Sequence, residues 1–251
     1  TTLVLQPPDD MFNLIVDGGN HAPAHMSHQE GISTNPRLPS RVDVVYTRDY
    51  TTVTPKQWTT GMNLSFLPIR PSMDAFNELV DIYTKGDYDS ELGWGGDHEY
   101  GVFQGSMLTT GLLTYYHTYV HPSSHVELYR CKYVNMADAP RLKLDDDTLH
   151  CRDRRETDVG SCTDCRITSM DDVVIADMGE CGAPWACQPD DYFLELCKAF
   201  HSSWFGLRKE VEDILLVDDR SGGPIEPLYC AEGSYVPLLL PSHPDDVEEV
   251  Y

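Results

Sequence analysis

Apolar runs of strand length alternating with amphipathic helical segments predict an α/β fold for this chain of 251 residues. Three stretches carry the expectation. Leu3, Val4 and Leu5 read as a strand ended by Gln6, Pro7 and Pro8, and residues 9 to 17 behind it read as a short helix. Residues 42 to 46 repeat the strand signal. Residues 72 to 86 then carry a helix with both a start and a stop signal. A hydrophobic content of 41% is enough for a buried core and excludes a disordered chain.

Taken in order, the helix over residues 9 to 17 has Asp9 and Asp10 at its start, where the helix dipole favours anions, and Gly18 and Gly19 at its end. A polar loop follows in which His21, His25 and His28 have helical metal-ligand spacing. Pro23 and Gly31 disfavour a helix there, so a solvated loop is expected. After the strand over residues 42 to 46, the segment from Gly61 reads as a second strand ending at Arg70 and Pro71. Ser72 caps the next helix, in which Phe76, Leu79, Val80, Ile82 and Tyr83 recur at helical spacing before Gly86. A glycine-rich loop around Trp94 leads to an apolar segment over residues 107 to 116. Residues 152 to 168 are charged and cysteine-rich, residues 171 to 177 form a short strand, and residues 190 to 216 a long amphipathic helix or helix pair. The acidic tail from Arg220 reads as a surface extension.

Charge and cysteine usage narrow the function classes. Eighteen Lys and Arg stand against 41 Asp and Glu, a net charge of −23, which opposes nucleic-acid binding. No apolar run is long enough to cross a bilayer. The chain opens on Thr1 in what reads as a strand already under way, so sequence upstream is expected. All 8 cysteines fall between Cys131 and Cys230. Disulfides in an oxidising lumen are the expected use, and a zinc site on Cys162, Cys165, Cys181 and Cys187 is the alternative.

Several segments, in order over residues 1 to 208, resemble glycogenin-like family-8 glycosyltransferases of the GT-A fold, especially an expanded fungal, oomycete and algal group. The opening through Gly18 resembles the stretch that directly follows the family's Asp-x-Asp motif. Residues 46 to 53 and 62 to 80 resemble a later strand, a Pro-Ser pair and a helix. Residues 93 to 117 resemble the segment that carries Asp-Gln-Gly in relatives, and residues 126 to 141 and 181 to 187 resemble the closing region with its His and Lys-Pro-Trp. The resemblance implies a mixed, Rossmann-like GT-A sheet, incomplete at the N-terminus, over residues 1–208, with a cysteine-rich region from Cys131 and a helix end and acidic tail over 209–251.

Transfer from a nucleotide sugar develops negative charge on the leaving diphosphate, and a metal ion with cationic donors offsets it. The resemblance implies Mn2+ held by the Asp-x-Asp pair and a downstream His, with a Lys meeting the phosphate. The carboxylate pair is absent from this chain, and adjacent Asp9 and Asp10 read as a helix start. The His position falls on Asp177, which still suits a hard cation. The Lys position falls on Ala183, so a positive charge is missing. Substrate-binding positions carried over are Asn63, for sugar hydroxyls or local backbone groups; Thr109 and Thr110, where relatives have Asp-Gln; and Trp185, for ligand contact or packing. Trp94 between glycines is either a sugar-stacking ring or a loop plug. Arg48 and Asp49 read as a surface ion pair.

The expected function is therefore retaining transfer of a hexosyl group from a UDP-sugar to a glycan or glycoprotein acceptor, metal-dependent and located in the Golgi lumen of the secretory pathway. The alternative is a non-catalytic, carbohydrate-binding or scaffolding descendant of the same fold.

Overall fold

The computed structural model describes residues 2–19, 38–53, 60–96, 103–144, 146–187 and 194–214. His21, His25, His28, Cys230 and the acidic tail lie outside them. Strand β1 (Thr2–Val4) precedes α1 (Asp9–Asp17), and β2 (Val44–Tyr46) is followed by α2 (Met73–Lys85). The ribbon β3 (Tyr88–Asp89) and β4 (Gly93–Trp94) leads to α3 (Thr109–Tyr115), which runs into a wider π-turn over Tyr116–Val120. Then come β5 (His125–Glu127), α4 (Arg130–Tyr133), the hairpin β6 (Arg141–Lys143) and β7 (Leu149–Cys151), β8 (Ile175–Asp177) and α5 (Glu195–Ile214).

Pairing is mixed, as an α/β chain with small sheets should be. β2 and β5 are parallel, with Val44 opposite His125 and Tyr46 opposite Glu127. A parallel pair needs a long crossover, and α2 and α3 lie in it. β1 and β8 are antiparallel, with Thr2 opposite Asp177 and Val4 opposite Ile175. Hydrogen bonds from Val174 N to Lys132 O (2.7 Å) and from Asn135 N to Ile175 O (2.9 Å) tie β8 to the end of α4.

Side chains alternate across β8, and each face has its own core. Ile175 packs with Met11, Leu14 and Ile15 of α1 and with Val45 and Val126 of the parallel pair. Ala176 packs with Leu3 and with Leu196, Cys197 and Phe200 of α5. Helices thus cover both faces, the arrangement a sheet with parallel strands requires. Three disulfides close the cysteine-rich region: Cys131–Cys165, Cys151–Cys162 and Cys181–Cys197. Cys187 is disulfide-bonded too. The zinc quartet is therefore not assembled: Cys162, Cys165 and Cys181 each have a different cysteine partner.

Two expectations need correction. Residues 61 to 70 run antiparallel to β2 but form no continuous strand. Bridges join Arg48 to Met62 and Val44 to Ile69, and the ladder is broken between them where Asn63 turns the backbone at Ser65. The second concerns α2. Its ends are as read, with Ser72 Oγ accepting from Ala75 N and Gly86 closing it in the left-handed region at φ 64°. Yet no residue of α2 is buried, and Met73, Phe76, Val80 and Tyr83 are exposed. The helical period identifies a stripe without saying what covers it.

Candidate metal and sugar site

Asp177 ends β8, and its carboxylate is held on both oxygens. Oδ1 accepts from Gly179 N at 3.0 Å and Oδ2 from Asn63 Nδ2 at 3.1 Å. Only 6% of Asp177 and 3% of Asn63 are exposed, so each bond is made away from bulk water. Asn63 is itself fixed: its Oδ1 accepts from Ser65 N at 2.8 Å and Ser65 Oγ at 2.5 Å, and its amide also meets Met136 Sδ at 3.2 Å. Both lone-pair and donor capacity are spent on positioning. Asn63 therefore orients Asp177 and defines the turn that breaks the neighbouring strand.

A second carboxylate approaches from the end of β2. Asp49 Oδ1 accepts from Thr51 N at 3.0 Å and from Thr51 Oγ1 at 2.5 Å. Burial pushes the Asp49 carboxyl above its ordinary range, the Thr51 bonds oppose this, and the charge of Asp177 adds to the rise. Asp177 is buried and Asp49 half-buried, and carboxylate oxygens are the donors a hard divalent cation takes. Ala137, which follows the bridge of Asn135 to Ala176, has φ 53°, a left-handed conformation in which its N–H donates to Asn135 Oδ1 at 2.8 Å. Strained turns of this kind concentrate at functional sites.

Comparison with protein families, curated proteins and solved structures found no match. Geometry therefore carries the functional reading.

The remaining expected residues are spread more widely. Thr110 is half-buried at the start of α3 and close to Gly61, two residues before Asn63: a Cβ on Gly61 would lie 2.6 Å from Thr110 Cγ2. Thr109 is exposed. Trp94 is 3% exposed, donates from Nε1 to Ser106 O at 2.9 Å and meets Tyr88 edge-on. It plugs the glycine-rich loop and offers no face for stacking. Trp185 is 42% exposed and leans on Trp204 of α5, with ring centroids 5.7 Å apart. It anchors the closing loop and keeps an open edge.

Arg48 and Asp49 do not pair. Arg48 Nε donates to Glu127 Oε2 at 2.9 Å, and Arg155 Nη2 donates to the other Glu127 oxygen at 2.8 Å. Tyr50 donates to Asp153 Oδ2 at 2.7 Å and accepts from Arg155. Burial opposes the Arg48 charge most, but Glu127, Tyr46 and Tyr50 together outweigh it and hold the pKa above the ordinary value. Nothing in the residue pattern signals this network, because its members lie about eighty to one hundred residues apart. The one compact His, Cys and carboxylate group among the described residues is Cys151, Glu156 and Cys162, and its two thiols are consumed in a disulfide.

Proposed function

We propose that this chain is part of a GT-A-type, family-8-like glycosyltransferase that takes a hexosyl group from a UDP-sugar and passes it to a glycan or glycoprotein acceptor with retention of configuration. The observation that carries the reading is Asp177: a buried carboxylate at a strand end, held by Asn63 and Gly179. The resemblance places the metal-binding His at that position, and aspartate offers the oxygen donors a Mn2+ ion takes. Asp177 and Asp49 would hold the ion, which supplies charge compensation for a diphosphate. Asn63 keeps Asp177 in place, and the bonded cysteines fit a protein matured in the secretory pathway.

A non-catalytic carbohydrate-binding shell is the second reading. It is favoured by Ala183, which stands where relatives have a lysine, and by the lack of any Lys or Arg bonded to Asp177 or Asp49 among the described residues. Calorimetric titration of UDP with Mn2+ into the product of the full transcript separates the two. The transferase reading expects metal-dependent binding, about tenfold weaker in Asp177→Ala and tighter in Ala183→Lys, since a charge-assisted phosphate bond contributes about that much. No UDP binding in any variant supports the shell, and metal-independent binding removes Asp177 from its role.

A further inference from the structure

Beyond the carboxyl ends of the parallel strands lies a second pocket, a small open cavity of about 130 Å³. Arg48 and Tyr50 reach it from the end of β2, Glu127 from the end of β5, and Asp153 and Arg155 from the loop after β7. Crevices at this end of parallel strands are where open α/β sheets take ligands.

The lining is rigid before any ligand arrives. Glu127 accepts from Arg48 and Arg155, while Asp153 accepts from Tyr50 at 2.7 Å and from Arg155 at 2.8 Å. Arg130 stacks its guanidinium over the Tyr50 ring, 4.7 Å from the centroid. Side chains locked in this way present their remaining polar atoms at fixed positions.

Charge decides what kind of ligand fits. Three arginines in the lining, Arg48, Arg130 and Arg155, are matched by three carboxylates, Glu127, Asp153 and Glu156. In a chain of net charge −23 this is a locally balanced patch. A phosphate or a sulfate would meet as many carboxylates as guanidiniums, and an amine would meet the reverse problem. Hydrogen-bonding capacity nevertheless remains. Arg155 is partly exposed, and its Nη1 has no bond among the described residues. Glu127 Oε2 already takes Arg48 and Tyr46, while Oε1, which accepts from Arg155, keeps one lone pair. Tyr129 adds an aromatic wall. Fixed planar donors beside fixed acceptors match vicinal hydroxyls, each of which donates and accepts, and the aromatic wall suits the C–H face of a pyranose.

We propose that this pocket binds a neutral sugar unit of a glycan. Where the transferase reading holds, and resting on that reading, it is the acceptor subsite, with Asp49 between Arg48 and Tyr50 linking it to the Asp177 centre.

A printed array of neutral and acidic oligosaccharides, probed with the full-length protein, tests the idea, followed by titration of the best-retained glycan. Retention of neutral glycans is expected, unaffected by added salt, and weakened about tenfold in Arg155→Met by loss of one charged hydrogen-bond donor. Thermal melting confirms that the variant folds, and Glu127→Gln provides a second, isosteric probe that should weaken binding in the same direction. The proposal is overturned by salt-sensitive retention of acidic glycans alone, by retention of none, or by neutral binding that both folded variants leave unchanged. Glycan binding without UDP binding would sink the transferase reading and leave the pocket standing. UDP binding with no glycan retained would do the opposite.

Discussion

Asn63 spends all of its polar capacity inside the protein, so its removal should cost more than one hydrogen bond. Asn63→Ala would leave Asp177 Oδ2 and the Ser65 N–H and hydroxyl without their partner, and an unsatisfied buried group costs about 1–3 kcal/mol. The expected result is a loss of that order in denaturant midpoint free energy, together with weaker metal-dependent UDP binding if Asp177 is a ligand. A variant as stable as the parent would show that water replaces the amide. Both partners were singled out by the family resemblance and not by the residue pattern itself. Asp49 was not. It reads as the ion-pair partner of adjacent Arg48, whereas neighbouring side chains in extended backbone point to opposite sides, and Arg48 finds Glu127 instead. Sequence adjacency misleads here because the charge partner is set by the parallel pairing of β2 with β5.

At the scale of elements, boundaries were easier to read than faces. The α2 cap and stop follow from Ser72 and Gly86, and Ser72→Ala should lower stability by about 1 kcal/mol through loss of the bond to Ala75 N. Phe76 carries the strongest apolar signal of the same helix yet is 58% exposed, so Phe76→Ser should change stability by no more than about 0.5 kcal/mol. Equal losses for the two variants in chemical denaturation would mean that the stripe is covered in solution. The π-turn after α3 holds a different liability. His117 is 2% exposed with neither ring nitrogen hydrogen-bonded among the described residues, and burial pulls its pKa from 6.5 down to about 4. Asp43 opposes that shift, while His125 and His121 reinforce it. Between those two values the unfolded chain binds the proton and the folded chain does not. Stability therefore falls as pH drops through that window, by about 1.4 kcal/mol per unit from this group. Melting temperatures of the parent and His117→Phe, compared between about pH 7 and about pH 5, should converge as the pH is lowered or cross over. A parallel decline would exclude His117 as the source.

The whole molecule divides by what holds it together. Around α1, β2, β5 and β8 the interior is aliphatic and aromatic, and the strand and helix periods in the sequence follow from it. From residue 141 to residue 172 the described chain buries only Cys151, Cys162 and Cys165, all of them disulfide-bonded, while Asp153 and Arg155 extend from it into the pocket. The crowding of cysteines after residue 131 made a disulfide region legible, but eight cysteines allow 105 connectivities and spacing alone selects none. Cross-links closing separations of 34, 11 and 16 residues should stabilise by about 4, 3 and 3 kcal/mol in the chain-entropy account. Where covalent closure replaces apolar burial, reduction should act locally first. Hydrogen exchange in the presence of a dithiol is expected to speed the amides of β6, β7 and the loop that follows, while Met11, Leu14 and Val45 keep their protection. Glycan binding should then fall before the melting transition of the α1–β2 core moves, because Arg155 loses its fixed position while the core stays packed. Simultaneous loss of protection in both regions would mean instead that the disulfides and the aliphatic core form one cooperative unit.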